Sequence, residues 1–211
     1  WDVTKSLETA EIGVTQGDAK SFAEMILEEH DGSDVGNRGR ITLVVCNTVD
    51  RAIETYDALR SVGRKDGIEL IHSRFRHKER REWKGRFLNR AACEDANADR
   101  IIVATQVVEA GVDISASLLV TELAPWPSLV QRFGRCARYG GSGRVRVVNR
   151  GMDDRSALPY TAQELDSAWK ALQTLTDVGI ATLERWEDSL DADGLRELYP
   201  YDPAHLLLRR E

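Results

Sequence analysis

The chain has 211 residues, of which 42% are hydrophobic and 30% are charged, so it can bury one α/β core with some additional helices. Its formal net charge of -6 gives no argument for nucleic-acid binding, which must come from a local basic segment instead. The cysteines, Cys46, Cys93 and Cys136, form no Cys-x-x-Cys pair, which disfavours a disulfide framework and a zinc site. We therefore expect a reducing, cytoplasmic location, and no apolar run approaches the roughly 20 residues that span a bilayer.

The N-terminal part is predicted to contain a strand and a helix. Residues 7–14 fit an entering strand, and Asp18 precedes a helical pattern that ends at Gly32. The His30-Asp31 pair at the end of this helix also suggests a metal-dependent phosphohydrolase. Such sites need several His and Asp ligands, and the chain has only four His, so a helix end is the better interpretation. Because the chain opens at Trp1 without an initiator Met, we expect it to be part of a longer protein.

The apolar run Ile41–Cys46 is typical of a strand covered on both faces. It ends in Asn47 and Thr48, and Asp50 is the predicted N-cap of a helix that stops at Gly63. Two interpretations of Asn47 and Thr48 stay open. Short polar side chains of this kind stabilise turns and helix caps, and they also donate hydrogen bonds to phosphate oxygens at a strand tip.

The next predicted strand, Ile68–Ile71, leads into a strongly basic segment that runs to residue 90. The apolar positions of this segment fall at helical spacing: Trp83, Phe87 and Leu88. A helix could bury these side chains while its cations face water. The segment is either a solvated helix face or an electrostatic grip on phosphates at the strand tip, focused by residues 72–74. A polar loop is predicted for Ala91–Asp99.

The stretch Ile101–Arg138 organises the rest of the chain. It begins as a short apolar run that breaks into polar groups at Thr105 and Gln106. A glycine and a carboxylate follow at Gly111 and Asp113. This pattern predicts a buried parallel strand that delivers a loop from its carboxyl end, where the ligands of open α/β sheets collect.

The end of this stretch, Gln131–Arg138, is predicted to be a helix. In a helix Gln131, Arg135 and Arg138 fall at i, i+4 and i+7 and form one stripe. Arginines at this spacing are usually a solvated face, but such a stripe around Gly134 is also suited to an anion. Arg132 lies one position off the stripe.

Further strands are predicted over residues 118–123 and 145–148. Strands that alternate with helices indicate right-handed crossovers and a parallel sheet, so the predicted class is doubly wound α/β. Beyond residue 150 a capping box, Thr161-x-x-Glu164, opens an amphipathic helix, and a second helical segment follows. We expect residues 1–150 to form one domain, with its core at about 40–150, and residues 151–211 to be a helical extension or linker without chemistry.

Two linked motifs resemble motifs V and VI of superfamily 2 helicases. They are Ala104-Thr105-x-x-x-x-x-Gly111-x-Asp113-Ile114 and Gln131-Arg132-x-Gly134-Arg135-x-x-Arg138. Further segments narrow the resemblance: Asn47-Thr48-x-x-Arg51-Ala52, His72-Ser73-Arg74-Phe75 followed by Arg80-Arg81, and Thr121-Glu122-Leu123-Ala124-Pro125. Together they resemble the second RecA-like domain of the CRISPR-associated helicase-nuclease family of type I interference systems.

The resemblance implies a RecA-like α/β domain with a central, mostly parallel sheet, flanking helices and a C-terminal helical extension. It also implies an ATP-dependent single-stranded DNA translocase that acts in CRISPR interference, an antiviral defence. The implied catalytic residues are Gln131, Arg135 and Arg138, with the arginines as fingers on the γ-phosphate. The implied nucleotide-binding residues are Gly111, Asp113 and Arg132. The implied nucleic-acid contacts are Asn47, Thr48, His72, Ser73, Arg74, Thr105 and Gln106.

Some family motifs are missing from the sequence. No Gly-x-x-x-x-Gly-Lys-Ser/Thr loop, no acidic box and no nuclease ligand set occurs, so we expect no metal site within this chain. ATP and Mg²⁺ would be held mainly by a first RecA-like domain, and the chain alone is predicted to hydrolyse no ATP. The implied partners are that first domain, single-stranded DNA, the nuclease domain and the CRISPR surveillance complex, with no membrane.

Other classes of function stay open. One is a different superfamily 2 member, such as a DEAD-box RNA helicase or a repair translocase. Another is a non-catalytic module that keeps the fold and binds nucleic acid. A small-molecule enzyme of the Rossmann type is least favoured, because no Gly-x-Gly-x-x-Gly opens a helix after a strand.

Overall fold

The computed structural model describes residues 3–13, 16–33, 39–75, 82–83, 85–153 and 155–200. Over these residues strands and helices alternate along the chain. The strands are β1 (Lys5–Glu11), β2 (Arg40–Val45), β3 (Ile68–Ile71), β4 (Asp99–Ala104), β5 (Leu118–Glu122) and β6 (Gly143–Asn149). The helices are α1 (Gln16–Asp31), α2 (Val49–Ser61), α3 (Arg90–Glu94), α4 (Trp126–Phe133), α5 (Ala162–Leu172), α6 (Ile180–Glu187) and α7 (Ala192–Leu198), with a short 3-10 helix, Gln106–Val108, after β4.

The strands form a single sheet in the order β1-β6-β5-β2-β4-β3, in which every neighbouring pair is parallel. The central strands β2, β4 and β5 are buried over most of their length, as expected where helices cover both faces. This arrangement confirms the predicted α/β class with a parallel sheet and flanking helices. In the part of the chain that the structure describes, no helix is both long and apolar enough to cross a bilayer.

The sheet has a hydrophobic core on each face, because successive side chains of a strand point to opposite sides. One core packs α1 and α2 against the sheet and includes Phe22, Ile26, Leu59, Val44, Val103 and Val120. The other packs α4 and the C-terminal helices against the sheet and includes Leu43, Ile102, Leu119, Leu129, Phe133, Leu165 and Leu183. The covered sheet therefore leaves its edges as the places where a ligand can approach the strands.

The carboxyl ends of the strands lie along one edge of the sheet, since all the strands run the same way. Buried polar side chains occupy this edge: Asn47, His72, Thr105, Glu122 and Arg150. A parallel sheet of this type binds its ligands at that edge. The fold thus brings together residues that are far apart in the sequence at the place where a binding site is expected.

The C-terminal helices pack directly on the sheet domain. α5 begins with the predicted capping box, in which the hydroxyl of Thr161 accepts from the Glu164 amide at 3.3 Å. The indole of Trp126, at the start of α4, donates to Oε1 of Glu187 at 2.8 Å. The Trp126–Glu187 bond and the buried Leu165 and Leu183 join the helices to the sheet core, and the division of the chain near residue 150 stays a prediction.

Residues 176–178 continue the sheet beyond its edge at β1. The amide of Leu7 donates to the carbonyl of Thr176 at 2.9 Å, and the amide of Val178 donates to the carbonyl of Lys5 at 2.9 Å. The buried ammonium of Lys5 also donates to the carbonyl of Phe133, the last residue of α4, at 2.8 Å. β1 is therefore held from three sides, by β6, by α4 and by a later part of the chain.

The predicted helix over residues 131–138 is wrong. Residues 131–133 do belong to α4, but the helix ends at Phe133; the chain then turns, and Cys136 forms an isolated parallel bridge with Ala116. The amide of Ala116 donates to the carbonyl of Arg135 at 2.9 Å, and the amide of Ala137 donates back to the carbonyl of Ala116 at 2.8 Å. This long-range pairing replaces the hydrogen bonds that a continued helix would make, so no helical stripe of arginines exists.

Two smaller predictions also differ from the structure. The N-cap of α2 is Thr48, whose hydroxyl accepts from the amide of Arg51 at 3.2 Å, and Asp50 lies one residue inside the helix. The predicted loop over residues 91–99 begins with α3, which is capped by Asn89. Residues 76–81 and 84 of the basic segment, and the C-terminal apolar run near residue 206, lie outside the described residues.

Candidate functional site

The guanidinium of Arg132 is the centre of the carboxyl edge, and its side chain is fully buried. Nε donates to Oε1 of Glu109 at 2.8 Å, and Nη2 donates to the hydroxyl of Tyr160 at 3.3 Å. Nη1 is shared among Oδ1 of Asn47 at 3.0 Å, the Thr121 hydroxyl at 2.9 Å and the Glu122 carbonyl at 3.1 Å. Arg132 therefore joins α4 to the tips of β2 and β5 and to the loop after β4, and none of its nitrogens faces solvent.

The side chain of Asn47 is used for internal hydrogen bonds. Its amide group donates to the carbonyl of Leu123 at 2.7 Å, while its oxygen accepts from Arg132. Its backbone N–H donates to Oε2 of Glu122 at 2.7 Å, and its carbonyl accepts from the side chain of Gln106 at 2.8 Å. Asn47 is only 3% exposed, so at this tip it positions its neighbours rather than facing solvent.

Arg51, in the first turn of α2, bridges the β5 tip and the chain after β6. Its Nη1 donates to Oε2 of Glu122 at 3.2 Å, and its Nη2 donates to the carbonyl of Ser156 at 2.6 Å. Glu122 is almost fully buried, and its charge is balanced by this guanidinium. Arg51 and Arg132 thus meet at Glu122 from two sides.

Arg135 holds the backbone of the loop that contains Gly111. Its Nη2 donates to the carbonyl of Glu109 at 2.5 Å, and its Nη1 donates to the carbonyl of Val112 at 3.1 Å. Burial, followed by the nearby charge of Arg138, lowers the pKa of Arg135 from its ordinary value. Gly111 has φ +73, a left-handed conformation that favours glycine. Arg135 therefore fixes the shape of the loop rather than projecting from it.

The exposed groups near this loop are Gly111, Asp113, Gln131 and Arg138. Nε of Arg138 lies 3.3 Å from Oδ1 of Asp113, and their side chains are 42% and 53% exposed. An exposed pair of this kind contributes roughly 0 to 1 kcal/mol, so an anionic ligand could displace Asp113 at little cost. Nε of Arg135 is buried without a partner and lies behind this surface. Of the predicted arginines, Arg138 presents its guanidinium to solvent.

The tip of β3 has one buried and two exposed polar residues. His72 is 8% exposed, and its ring centroid lies 4.2 Å from that of Phe75. Burial, together with the charge of Arg74, lowers the pKa of His72, so the neutral ring is favoured. Ser73 and Arg74 are exposed, and Arg74 pairs with Asp50 at 3.1 Å on the surface. Cationic contact with a phosphate at this tip would come from Arg74.

The remaining predicted nucleic-acid contacts also include both buried and partly exposed residues. Thr105 is buried, and its amide donates to the carbonyl of Ile71 at 3.1 Å. Gln106 is partly exposed beside Asn47, while Thr48 caps α2. No group of three or more His, Cys, Asp or Glu is positioned to hold a metal ion in the described ranges of the chain. The exposed cationic groups among the predicted site residues are the guanidiniums of Arg74 and Arg138.

Sequence reasoning missed four residues of this network: Arg51, Glu109, Glu122 and Tyr160. Glu122 offered a signal, because a carboxylate inside an apolar run predicted to be a buried strand needs a partner. Glu109 and Tyr160 offered none, since each lies more than 20 residues from Arg132 and is paired with it only by the fold.

Comparison with known proteins identifies the family and the fold of this chain. Residues 38–141 match the family described as CRISPR-associated nuclease/helicase Cas3, C-terminal. A putative CRISPR-associated nuclease/helicase Cas3 from Myxococcus xanthus is 45% identical over 96 residues, which cover 46% of this chain and 12% of the relative. A CRISPR-associated helicase Cas3 from Thermoproteus tenax is 33% identical over 153 residues, which cover 72% of this chain and 25% of the relative.

Among solved structures, T. fusca Cas3 matches with a TM-score of 0.72 at 21% identity, over 96% of this chain and 25% of that one. At this identity the likeness shows the fold alone. The chain spans at most about a quarter of the relatives named here.

Proposed function

This chain belongs to the Cas3 family as its C-terminal helicase domain, and we propose on that premise that it is the second RecA-like half of an ATP-dependent single-stranded DNA translocase in CRISPR interference. Residues 1–150 would form the RecA-like domain, and residues 151–211 its helical extension. Because the chain spans only a fraction of its relatives, the activity, the DNA substrate and the cytoplasmic location belong to this proposal.

One observation carries the proposal. The loop Glu109–Asp113 is held by two buried arginines, Arg132 and Arg135, while Arg138 next to it is exposed. A finger that stabilises a γ-phosphate must be charged, exposed and attached to a rigid support, and an arginine finger supplies about 10³ to 10⁵ in rate. Arg138 is charged, exposed and paired with Asp113 of the held loop, so we assign it as the principal finger, and Arg135 holds the backbone of that loop.

The other residues take roles that match their exposure. Gly111 and Asp113 would approach the ribose or phosphates of the nucleotide, and Gln131 would contact the acidic box of the first RecA-like domain. Thr48, Ser73, Arg74 and Gln106 lie at or near the carboxyl edge and would contact the DNA backbone. Asn47, His72, Thr105 and Arg132 would hold these contacts in place from within.

ATP and Mg²⁺ would be held mainly by the first RecA-like domain. The T. fusca fold neighbour has been solved with ATP, with ADP and with AMPPNP. Another fold neighbour is described as a CRISPR RNA-guided surveillance complex before nicking. For the present chain, nucleotide binding and partnership with a nuclease domain and a surveillance complex are inferred from the family.

The test is DNA-stimulated ATPase activity of this chain joined to its first RecA-like domain. We expect activity in the joined protein, no activity in the chain alone, and a loss of about 10³ or more on Arg138→Ala. Arg155→Ala is the matched control, since Arg155 is also exposed but lies after β6, away from the loop.

Two outcomes would contradict the proposal. If the joined protein bound DNA but hydrolysed no ATP, the chain would be a non-catalytic nucleic-acid-binding module. If it hydrolysed ATP equally well without Arg138, the exposed guanidinium would not be a finger. DNA affinity is also measured at several salt concentrations, so that a loss of ATPase activity caused by weaker DNA binding is recognised as such.

A further inference from the structure

The chain after β6 is fastened to the carboxyl edge by two arginines from different elements. We name residues 156–160 the strap. Arg51 from α2 donates to the carbonyl of Ser156 at 2.6 Å, and Arg132 from α4 donates to the hydroxyl of Tyr160 at 3.3 Å. Ser156 is 6% exposed and the next residue, Ala157, is 1% exposed, so this end of the strap is packed against the domain.

Both arginines also hold the strand tips, so the strap and the tips share one network. Oε2 of Glu122 accepts from Arg51 and from the amide of Asn47, at 3.2 and 2.7 Å. Arg132 donates to Asn47 and to the carbonyl of Glu122. A shift of the strap would therefore move the guanidinium groups that fix Asn47, and Asn47 in turn fixes Gln106 at the proposed DNA surface.

The network reaches the nucleotide side through one further contact. Nε of Arg132 donates to Glu109, the residue that opens the loop leading to Gly111 and Asp113. The charges of Arg51 and Arg132 balance those of Glu122 and Glu109, so no buried charge is left over while every contact is made. Oε1 of Glu122 is already buried without a partner, so the loss of a further contact would leave another unpaired polar group in a dry environment, which makes each remaining contact costly to lose.

The strap is continuous with the C-terminal helices, because Tyr160 is followed directly by the N-cap of α5. Trp126 of α4 contacts α6 through Glu187, and its ring centroid lies 5.0 Å from that of Trp186. The helices therefore hold α4 at its start and the strap at its end.

We propose that Arg51 and Tyr160 are positioning residues that couple the C-terminal helices to both proposed binding surfaces. While the strap keeps its two hydrogen bonds to the arginines, binding of DNA affects the loop Glu109–Asp113 and thereby stimulates nucleotide turnover. The helices thus act as a coupling element rather than a passive linker. This inference rests on the proposed function, since it concerns how its two sites communicate.

The experiment compares Tyr160→Phe, Arg51→Lys and the control Arg155→Lys in the full-length protein. Tyr160→Phe removes one acceptor and keeps the ring. Arg51→Lys keeps a positive charge near Glu122 and loses the second arm that reaches Ser156. We expect maximal stimulation of ATPase activity by single-stranded DNA to fall about fivefold or more in both variants. Basal activity and the DNA concentration for half-maximal stimulation should stay within roughly twofold of wild type.

Each other result has a definite meaning. A parallel fall of basal and stimulated activity would mean that the two residues only maintain the fold, and unchanged stimulation would mean that the strap transmits nothing. Either result overturns the inference. Wild-type protein without DNA-stimulated ATPase activity would instead contradict the proposed function. In that case we would measure hydrogen exchange at residues 47–49 and 109–113. Equal exchange rates in wild type and Tyr160→Phe would overturn the proposed coupling.

Discussion

Arg132 and Glu109 form a buried ion pair, with Nε of Arg132 at 2.8 Å from Oε1 of Glu109 and side-chain exposures of 0% and 17%. The pair fixes α4 against the loop after β4, so its first consequence is stability. Arg132→Met should reduce the free energy of unfolding by about 3 to 5 kcal/mol, because it leaves the Glu109 carboxylate without its cation and Oδ1 of Asn47 without its donor. Urea unfolding measures this loss. Arg155→Met is the control at an exposed site, and a loss below about 1 kcal/mol for Arg132→Met would contradict the prediction.

Removing the side chain of Arg135 should destabilise the fold more than removing the side chain of Arg138. Arg135→Ala leaves the carbonyls of Glu109 and Val112 without their donor, and each unpaired buried group costs about 1 to 3 kcal/mol. Arg138→Ala removes only an exposed pair with Asp113, so its cost should be within about 1 kcal/mol. Thermal unfolding of both variants provides the comparison. Equal losses would mean that the two arginines have the same structural role.

The buried ring of His30 makes stability depend on pH. Its Nε2 donates to Oδ1 of Asp99 at 2.8 Å, since a carboxylate only accepts, and its Nδ1 accepts from the hydroxyl of Thr42 at 2.7 Å. Burial lowers the pKa of His30 below 6.5, although the hydrogen bond to Asp99 opposes this shift. The unfolded chain therefore takes up the proton first, and the folded state loses stability as the pH falls through about 6.5.

Urea unfolding between pH 7.5 and 5.5 tests this dependence. A single histidine contributes a slope of at most about 1.4 kcal/mol per pH unit. His30→Gln should reduce the slope of the wild type. His72, whose pKa is also lowered by burial, contributes in the same direction and remains in the variant. The same slope in both proteins would show that His30 does not change its protonation on unfolding in this range.

Gly151 should tolerate alanine less well than Gly140. Both glycines have positive φ, +105 and +97, so either substitution carries backbone strain of roughly 1 to 3 kcal/mol. At Gly151 an added Cβ would also lie 2.8 Å from Cβ of Ser156, whereas at Gly140 it meets nothing within 4 Å. Gly151→Ala should therefore be the more destabilising, and only it should loosen the strap. Denaturant midpoints rank the two variants, and equal midpoints would show that the strap yields without cost.

The thiols should be inert in the folded protein. Cys46, Cys93 and Cys136 are buried, and burial raises the pKa of Cys136 to about 12 and the pKa values of the other two as well. Thiolate formation is then negligible near neutral pH. A thiol reagent should modify the cysteines in urea but not in native buffer. Rapid modification of the native protein would mean that one of these sites opens readily.

Strand positions were predictable because burial on both faces leaves a continuous apolar run. Ile68–Ile71 was placed without error, and Ile41–Cys46 was shifted by one residue from β2. The helix over residues 131–138 was predicted wrongly because helical spacing was continued past Gly134. What ends α4 is a backbone pairing with Ala116, and no local pattern reveals a partner that far away.

The location of the candidate site could be predicted from the sequence. Which of its residues are buried and which are exposed could not. Motif spacing identified Arg132, Arg135 and Arg138, yet it could not tell a buried arginine from an exposed one. Burial of Arg132 depends on Glu109, Asn47 and Tyr160, which only the folded chain brings together. Arg132, which lies one position off the predicted stripe, makes more side-chain hydrogen bonds than Arg135 or Arg138.

The pairing of β1 with β6 and with residues 176–178 has a consequence for folding during synthesis. β1 is synthesised before its partners Gly143–Asn149 and Thr176–Val178, which follow more than 130 residues later. Contacts of such long sequence separation form slowly, since a large loop must close first. At a translation rate of about 5 to 20 residues per second, β1 waits several seconds for its neighbours. β1 is thus made before β2 to β6 but is among the last strands of the sheet to be paired, and until then its backbone hydrogen-bonding groups stay open to water or to chaperones.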